Sequence, residues 1–357
     1  MISLLDKYLS FAFIKKLGGI IIAFLAVFIV VDVIDNIDKF IDSDMPLYEI
    51  MRYYILTVPW FVSMGTPMAI LLSSVLTFSM MQKDHEITAI KASGISIFRL
   101  SIPMLIIGLI VSISIFFFDN KLVSSSLQSR QAIEDKFFPQ NTKNTIKRNI
   151  IRQIGPHETL SIKRFDHRED IAYNASIQKT DGKSLISRMD IPSMIYTNGL
   201  WKIDTYTQRI FYKKNKYSYS AKSDTSIKID IDPTTIIQKT IKPQEMNFWD
   251  LQKFVKRIKN NGINDPRWEV NLHFKTAFAF SSFLMVLFGI SLSIRKPRSN
   301  AMIGIGYSIL VIFLYYVIIK LGQVLGYSGA MSPFLSVWMA NILFFFVGAG
   351  LLLKTRT

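Results

Sequence analysis

Few side chains in this sequence have the types and spacing that catalysis or metal binding requires. None of the four histidines has a second strong metal ligand at a suitable spacing; they are His85, His157, His167 and His273. Glu169 and Asp170 follow His167 closely, but a solvated turn explains this cluster better than a metal site. The segment 350–355 ends in Lys354-Thr355 but lacks the second glycine of a phosphate-binding loop. We therefore expect that the chain is not an enzyme, that it binds no metal or cofactor directly, and that a partner hydrolyses any ATP that drives it.

Two ionisable residues within long apolar runs need an explanation, because a charge is costly there. Asp32 is near the end of the first run, and Lys320 is near the end of the fifth. Their side chains could simply extend to a membrane interface. Alternatively, the two residues could pair with each other or face a polar cavity, as ionisable groups in membrane segments usually do. The sequence leaves both interpretations open.

The apolar runs are long enough to cross a membrane. Hydrophobic residues make up 50% of the composition, and a helix of roughly 20 apolar residues spans the ~30 Å core of a bilayer. The six runs are Leu17–Ile34, Ile55–Met81, Phe98–Phe118, Phe274–Ile294, Ala301–Leu325 and Met331–Leu353. No cleavage site follows the first run, so we interpret it as a retained span. The sequence therefore predicts a membrane α-helical protein with six transmembrane helices.

The lysines and arginines of the short loops predict the orientation, because such residues concentrate on the cytoplasmic side. One side carries Lys7, Lys15, Lys16, Lys83, Lys91, Arg99, Arg295, Lys296, Arg298, Lys354 and Arg356. The short loops of the other side carry only Lys39 and Arg52, among several acidic residues. We therefore expect both termini in the cytoplasm and residues 119–272 outside it.

The segment 119–272 has the pattern of a strand-rich domain. Turn signals such as Asn198-Gly199 separate short β-prone runs, which are Thr159–Phe165, Ile171–Gln178, Leu200–Tyr212, Tyr217–Ser220 and Ser226–Ile231. This spacing predicts an inserted all-β domain, either a sandwich or jelly-roll-like. An amphipathic helix follows over Asn247–Asn261, capped by Asn247 and closed by Gly262. The predicted domains are thus residues 1–118, 119–272 and 273–357.

The formal net charge of +16 would suggest nucleic acid as a partner if the protein were soluble. Most of the basic residues lie in the segment 119–272, which is expected outside the cytoplasm. We therefore expect no nucleic acid, and instead anionic lipids, glycans or acidic proteins.

The connection between the second and third spans, residues 82–94, has the pattern of a short cytoplasmic helix. Asp84 is a good N-cap residue, Ala89 and Ala92 favour a helix, and Gly94 is a natural C-terminal stop. Such a helix is too polar to span a membrane and too short to be stable alone. It could be an ordinary connector at the interface, or a coupling helix that inserts into a cytoplasmic motor subunit.

This segment also resembles a known family. The run from His85 to Ser96, HEITAIKASGIS, resembles the signature E-[LI]-x-[AV]-[ML]-x-A-x-G-[IFL]-S of the lipopolysaccharide export permeases LptF and LptG. Residues 32–40, 67–72 and 314–316 resemble other parts of the family's spans. The resemblance covers the membrane portion, is one of pattern only in the β domain, and is somewhat closer to the LptG type. The chain lacks the proline that many members carry after the position of Lys275.

The resemblance implies a function and a set of partners. It implies the transmembrane permease subunit of an ATP-driven, ABC-type exporter in the bacterial inner membrane, which extracts lipopolysaccharide toward the outer membrane. The implied partners are a cytoplasmic ATPase homodimer like LptB, a paralogous permease, a periplasmic bridge protein like LptC or LptA, and lipopolysaccharide. A jelly-roll domain would lie in the periplasm. The first and fifth spans would form a lateral gate, to which we assign Asp32.

In the light of this resemblance we expect the run from Asp84 to Ser93, ended by Gly94, to be the coupling helix. Glu86 stands at the position of the family's coupling glutamate, and we expect it to pair with an arginine of the ATPase. The remaining contacts would come from Ile87 and Ile90, which are apolar, and from Ala89, which permits a close approach.

Three basic residues are candidates for lipid binding. Lys39, Arg52 and Lys320 are the basic residues near the outer ends of the first, second and fifth spans. We hypothesise that they form a ring that receives lipid phosphates, because charge-assisted hydrogen bonds to phosphate are strong. Alternatively, these residues could anchor the helix ends at the interface without binding lipid.

Other classes of membrane protein fit the sequence less well. A sensor with a ligand-binding outer domain would need a cytoplasmic output domain, and the cytoplasmic segments are too short for one. An ion-coupled transporter would need ionisable residues at the middle of the bilayer. A mechanotransmission permease, which drives periplasmic machinery without moving lipid, remains an alternative.

Overall fold

A computed structural model describes residues 4–138, 146–155, 157–166, 168–181, 184–197, 199–212, 216–227, 242–260, 265–294 and 301–354. The chain forms two compact units. The helical unit comprises Met1–Phe137, Pro243–Leu251 and Asp265–Thr357. The sheet unit comprises Phe138–Lys242 and Gln252–Asn264.

Most of the helical unit consists of long helices. The segment before the sheet contains α1 (Leu4–Asp42), α2 (Leu47–Lys83), α3 (Glu86–Ala92) and α4 (Ile97–Phe118). Helix α4 continues through one π-helical turn, Asp119–Val123, into α5 (Ser124–Phe137). After the sheet come α6 (Phe248–Asn260), of which only Phe248–Leu251 belongs to the helical unit, and then α7 (Pro266–Ile294), α8 (Ala301–Tyr327) and α9 (Pro333–Leu353).

Six of the described helices are long and apolar enough to cross a membrane, as the sequence predicts. They are α1, α2, α4 together with α5, α7, α8 and α9. Several extend well beyond the predicted apolar runs, and α1 alone has 39 residues. The reason is that a helix continues into water as long as no residue breaks it, so an apolar run marks only the part suited to hydrocarbon.

Helix α7 lies at the centre of the unit. In its most apolar stretch 78% of the residues are buried, against 6% for α1 and 17% for α8. Small residues let neighbouring helices approach it closely: a Cβ atom at Gly289 would overlap the side chain of Ser74 on α2. Between α4 and α7, the hydroxyl of Ser112 donates to the carbonyl of Ala279 at 2.8 Å. Such close approaches and hydrogen bonds stabilise helix pairs in a membrane, where the hydrophobic effect contributes little.

The amphipathic helix predicted before the fourth span is α6. Asn247 caps it as expected, because its Oδ1 accepts a hydrogen bond from the amide of Asp250 at 2.8 Å. The expected apolar stripe is buried at Leu251, Val255 and Ile258. Gly262, the predicted stop, lies outside the described residues.

The described part of the sheet unit contains six antiparallel strands in chain order. They are β1 (Ile146–Gly155), β2 (Glu158–Asp166), β3 (Ile171–Asp181), β4 (Ser184–Thr197), β5 (Leu200–Tyr212) and β6 (Lys216–Ile227). Residues of one face form the core, among them Leu160, Ile162 and Trp201, which are fully buried. Each described strand pairs with its neighbours in the chain, whereas a jelly-roll pairs strands that are distant in sequence. The strand-rich domain is therefore confirmed, and the jelly-roll topology is not.

The sequence analysis did not predict strands β1 and β4. Pro192 lies within β4, and a proline argues against a strand because it has no amide proton to donate. The structure accommodates it in an irregularity: the pairing of β4 with β5 skips from Asp190 to Met194. The two runs predicted at Tyr217–Ser220 and Ser226–Ile231 belong to the single strand β6 as far as Ile227, and the following residues lie outside the described ones.

Candidate functional site

Helix α3 begins differently from the prediction. Asp84 does not cap it, because α2 runs through Lys83 and the Asp84 amide still donates to the carbonyl of Met80 at 2.9 Å. His85 occupies the N-cap position, in a left-handed conformation with φ 61°. The turn between the two helices therefore has only two residues, Asp84 and His85, and the backbone of His85 is strained. Asp84 remains at the surface, at the end of α2.

The end of α3 is the one that the sequence predicts. Gly94 has φ 82°, a conformation that favours glycine. Its amide donates to the carbonyl of Lys91, and the amide of Ile95 donates to that of Ile90. This pair of hydrogen bonds is the Schellman motif, which satisfies carbonyls at the end of a helix. Gly94 thus fixes the length of α3 at seven residues.

The two faces of α3 differ in burial. Ile87 is only 4% exposed and packs in the core of the helical unit, where Ile90 is partly buried. This differs from the expectation that both contact a partner, and the reason is that an apolar face on so short a helix is needed to hold it to its own bundle. The opposite face is exposed and contains Ala89, together with Thr88 and Ala92.

Glu86 lies at the first turn of α3, partly exposed. Its Oε1 accepts a hydrogen bond from the phenol of Tyr8 on α1 at 2.9 Å. Lys16 of α1 lies close enough for electrostatic attraction. The carboxylate is therefore held within the chain by a neutral donor, and it retains capacity to accept bonds from a cation of another protein.

The helical unit contains a cavity of about 300 Å³ at the opposite end of α4 from α3. Helix α4 has 22 residues, so the two sites are separated by about 33 Å along its axis. The lining combines apolar and aromatic residues with amides and charged groups: Trp60, Ser63, Met64, Asp119, Val123, Leu127, Pro243, Gln244, Asn271, Phe274, Lys275, Phe278, Lys320, Gln323, Val324 and Tyr327. We refer to this cavity as the polar pocket.

Three charged side chains face the polar pocket. Lys320 on α8 lies over the ring of Phe274, with its Nζ 5.8 Å from the ring centroid. Lys275 on α7 faces Asp119 in the π-helical turn, and the Ser63 hydroxyl also faces that carboxylate. Oδ1 of Asp119 is buried and accepts no hydrogen bond from the described residues. Among the described residues, the lining of the pocket thus contains two ammonium groups and one carboxylate, an excess of one positive charge.

Three polar side chains form hydrogen bonds with the backbone segment that follows the pocket residues Pro243 and Gln244. Asn120, Ser124 and Gln128 follow each other at four-residue intervals and so share one face of the π-helical turn and α5. Asn120 accepts from the amide of Phe248 at 2.7 Å, while Ser124 and Gln128 donate to backbone carbonyls of the segment 245–246. This segment continues from Pro243 and Gln244, which line the pocket. π-Helical turns often mark functional sites, because they turn side chains out of helical register.

The other sequence-predicted residues lie elsewhere in the helical unit. Lys39 donates to Asn36 at 2.6 Å within the last turns of α1. Arg52 pairs with Glu49 at 3.7 Å, and Glu49 also pairs with Lys136 of α5 at 3.5 Å. Of the three basic residues predicted to form a ring, only Lys320 lines the polar pocket.

Asp32 faces the phenol of Tyr54 on α2. Its Oδ2 is buried and has no hydrogen-bond partner in the part of the chain that the structure describes. Within the same ranges no ion pair joins Asp32 to Lys320. The two residues therefore do not pair with each other. Lys320 lies in a polar cavity, and Asp32 lies against a second helix, α2.

Sequence reasoning missed Lys275, Asp119 and Tyr8. A signal existed for the first two. Lys275 is the second residue of the predicted fourth span, and Asp119 lies one residue beyond the predicted end of the third, where charges are usually interpreted as flanks. Nothing in the sequence pointed to Tyr8.

The histidines and carboxylates form no metal site in the described ranges, where no three His, Asp or Glu side chains could hold an ion. Glu169 and Asp170 lie in the turn between β2 and β3, and His167 lies outside the described residues.

Comparison with known proteins identifies one family. The family model described as "Lipopolysaccharide export system permease LptF/LptG" matches residues 7–354, nearly the whole chain and both described units. A search of curated proteins finds no match.

Proposed function

Because the chain belongs to the lipopolysaccharide export permease family LptF/LptG, we propose that it is the membrane subunit of an ATP-driven exporter that moves lipopolysaccharide from the inner membrane toward the outer membrane. Members of this family are permease subunits and not enzymes themselves. In the proposed exporter a separate cytoplasmic ATPase homodimer hydrolyses ATP, and this chain binds no cofactor. The six helices of spanning length make it a multi-pass membrane protein.

The observation that carries the proposal is the composition of the polar pocket. A lipid with a phosphorylated head group needs cations for its phosphates and an apolar surface for the adjoining chains. Lys275 and Lys320 offer the cations, and Trp60, Phe274 and Phe278 offer the surface. Ammonium groups beside apolar walls bind phosphate more strongly than fully solvated ones, because the local dielectric is lower.

Asp119 has a role in this arrangement. Its carboxylate partly balances the charge of Lys275. An arriving phosphate would compete for that lysine, so Asp119 limits how tightly the lipid is held. A transporter needs such a limit, since binding that is too strong prevents release.

Lys39 and Arg52 remain candidates for contact with the head group outside the pocket. Arg52 is 55% exposed and its partner Glu49 has a second cation in Lys136. Arg52 could therefore exchange Glu49 for a phosphate without leaving that carboxylate unpaired.

Helix α3 is the proposed contact with the ATPase. Its exposed face carries Ala89, its first turn carries Glu86, and Gly94 ends it. The buried Ile87 and partly buried Ile90 would transmit force to the bundle, since they join α3 to its core. Asp84, exposed beside Glu86, would add a second carboxylate toward a basic groove.

Helices α1 and α8 are the proposed gate. They are the least buried of the spans, so most of their apolar surface is available for lipid or for a paralogous permease. Asp32, on α1, would help to set the position of the gate through Tyr54.

The orientation and the role of the sheet unit are also proposals. The distribution of basic residues favours cytoplasmic termini, with α3 in the cytoplasm and the sheet unit in the periplasm. There the sheet unit would contact a periplasmic bridge protein of the LptC or LptA kind. A jelly-roll arrangement would need further strand pairings beyond those of β1 to β6.

Lipid co-purification tests the proposal. The double variant Lys275→Gln with Lys320→Gln should reduce the lipopolysaccharide that co-purifies with the complex by about tenfold, since charged hydrogen bonds are lost. Lys121→Gln is the matched control, because Lys121 lies in the same π-helical turn, exposed and outside the pocket lining. Equal lipid content in the double variant and the wild type would contradict the proposal, and so would failure of any ATPase to co-purify with the wild type.

A further inference from the structure

Two polar links join the first turns of α1 to the segment around α3. The Arg99 guanidinium, in the first turn of α4, donates to both oxygens of Asp6, and both distances are 2.9 Å. The Tyr8 phenol donates to Glu86 at the start of α3. The segment 86–99 is therefore tied to α1 at both of its ends.

The first turns of α1 lie between the two contact residues, Glu86 on α3 and Arg99 on α4. Residues two apart on a helix point in nearly opposite directions, at roughly 200°. Asp6 and Tyr8 therefore reach out from opposite sides of α1. Below them, Leu9 and Phe13 are fully buried in the same core as Ile87. The polar links thus flank an apolar contact.

The link through Asp6 is well built for transmitting force. Asp6 is only 7% exposed, so its carboxylate is largely removed from water. Bidentate pairing with arginine fixes both distance and orientation, unlike a single contact with lysine. Removing one partner of such a pair leaves the other without compensation.

We infer that Asp6 and Tyr8 are positioning residues that make α1 move with the segment 86–99, which contains α3 and the first turn of α4. Helix α1 is continuous over 39 residues, about 58 Å, and contains no proline. A displacement of its first turns therefore reaches Asp32 and Tyr54 near its other end. This inference rests on the proposed function in one respect, that an ATPase displaces α3.

Tyr8 also prepares Glu86 for its partner. The phenol fixes one carboxylate oxygen, and Oε2 remains for a cation of the ATPase. Such an arrangement lowers the entropy that the carboxylate loses on binding. Tyr8 thus combines attachment of α3 with orientation of its contact group.

Hydrogen exchange of the full chain in lipid nanodiscs tests the positioning without any ATPase. Amides of α3 should exchange about fivefold faster in Tyr8→Phe and in Asp6→Asn, as expected when a hydrogen bond to a charged group is lost. Lys7→Gln is the matched control, since Lys7 lies between the two residues and is exposed. Unchanged exchange of α3 in both variants would overturn the inference.

A second measurement separates transmission of force from local structure. In the reconstituted complex, Asp6→Asn should recruit the ATPase normally but move about fivefold less lipid per ATP hydrolysed. The exchanged pair Asp6→Arg with Arg99→Asp should recover part of this loss. Wild-type lipid per ATP in Asp6→Asn would overturn the inference. If the wild type recruited no ATPase, the proposed function would fail, while hydrogen exchange would still decide whether Asp6 and Tyr8 position α3.

Discussion

The phenol of Tyr316 on α8 donates a hydrogen bond of 3.0 Å to the backbone carbonyl of Met64 on α2. Met64 lies in the turn that Pro67 disrupts, because proline has no amide proton for the helix ladder. The adjacent Tyr315 faces another helix, and its phenol donates to Asn341 on α9 at 2.8 Å. Two consecutive tyrosines therefore fasten α8 to two different neighbours.

Tyr316→Phe should lower the free energy of unfolding by about 1 kcal/mol, since it removes one partly buried interhelical hydrogen bond but little volume. The thermal midpoint of the purified protein in mild detergent measures the change. Tyr307→Phe is the control, because Tyr307 lies on the same helix and is 49% exposed. Equal midpoints for the Tyr316→Phe variant and the wild type would show that the bond contributes nothing to stability.

Gly322→Ala should destabilise the contact between α8 and α9 strongly, by roughly 1–3 kcal/mol as in other overpacked sites. A Cβ atom there would overlap the carbonyl oxygen of Ser336, which is backbone and cannot move aside alone. Gly306→Ala provides the comparison on the same helix, because a Cβ atom at Gly306 meets nothing within 4 Å. A thermal midpoint that falls no further for Gly322→Ala than for Gly306→Ala would argue against this close crossing.

Glu86→Ala should weaken association with the ATPase by roughly 2–5 kcal/mol, because an arginine of the partner would lose its carboxylate. Glu86→Asp should be intermediate, since the charge remains but its reach is shorter. Pull-down of the ATPase by the tagged chain measures both. His85→Ala should have a milder effect. If the Glu86→Ala variant recruited the ATPase and transported lipid as well as the wild type, α3 would be only a connector.

Asp119→Asn should slow the release of anionic lipid, because it removes the negative charge that competes with phosphate for Lys275. An increase of several-fold in residence time corresponds to about 1 kcal/mol of altered interaction. Dissociation of a fluorescent anionic lipid, followed at two salt concentrations, provides the measurement. Asp38→Asn is the control, on an exposed position of α1 outside the pocket. Faster release in Asp119→Asn would assign a different role to this carboxylate.

The proposed orientation can be tested with single cysteines, because the native chain has none. Lys202→Cys, exposed on β5, should react with an impermeant thiol reagent in intact spheroplasts, whereas Lys91→Cys on α3 should react only after lysis. The reverse pattern would place the sheet unit in the cytoplasm and exclude periplasmic contacts for it.

Some features follow from neighbouring residues alone, and the sequence analysis identified these. The six helices of spanning length could be recognised because transfer of an apolar run into hydrocarbon depends on that run itself. Gly94 and Asn247 were recognised because a C-terminal stop and an N-cap involve residues within a few positions. The start of α3 is an exception: His85 and not Asp84 stands there, because the end of α2 competed for the same turn.

The sequence by itself thus determined the membrane class, the strand-rich insertion, the short helix between the second and third spans and the family resemblance. Only the tertiary structure decided which distant side chains meet. Tyr8 and Glu86 are 78 positions apart, and Lys275 and Lys320 share the polar pocket although they belong to different helices. Such contacts depend on how helices pack and rotate against each other, and close approaches such as that of Gly289 to Ser74 fix this packing. The packing and rotation of the helices also explain why Lys39 and Arg52 lie outside the polar pocket.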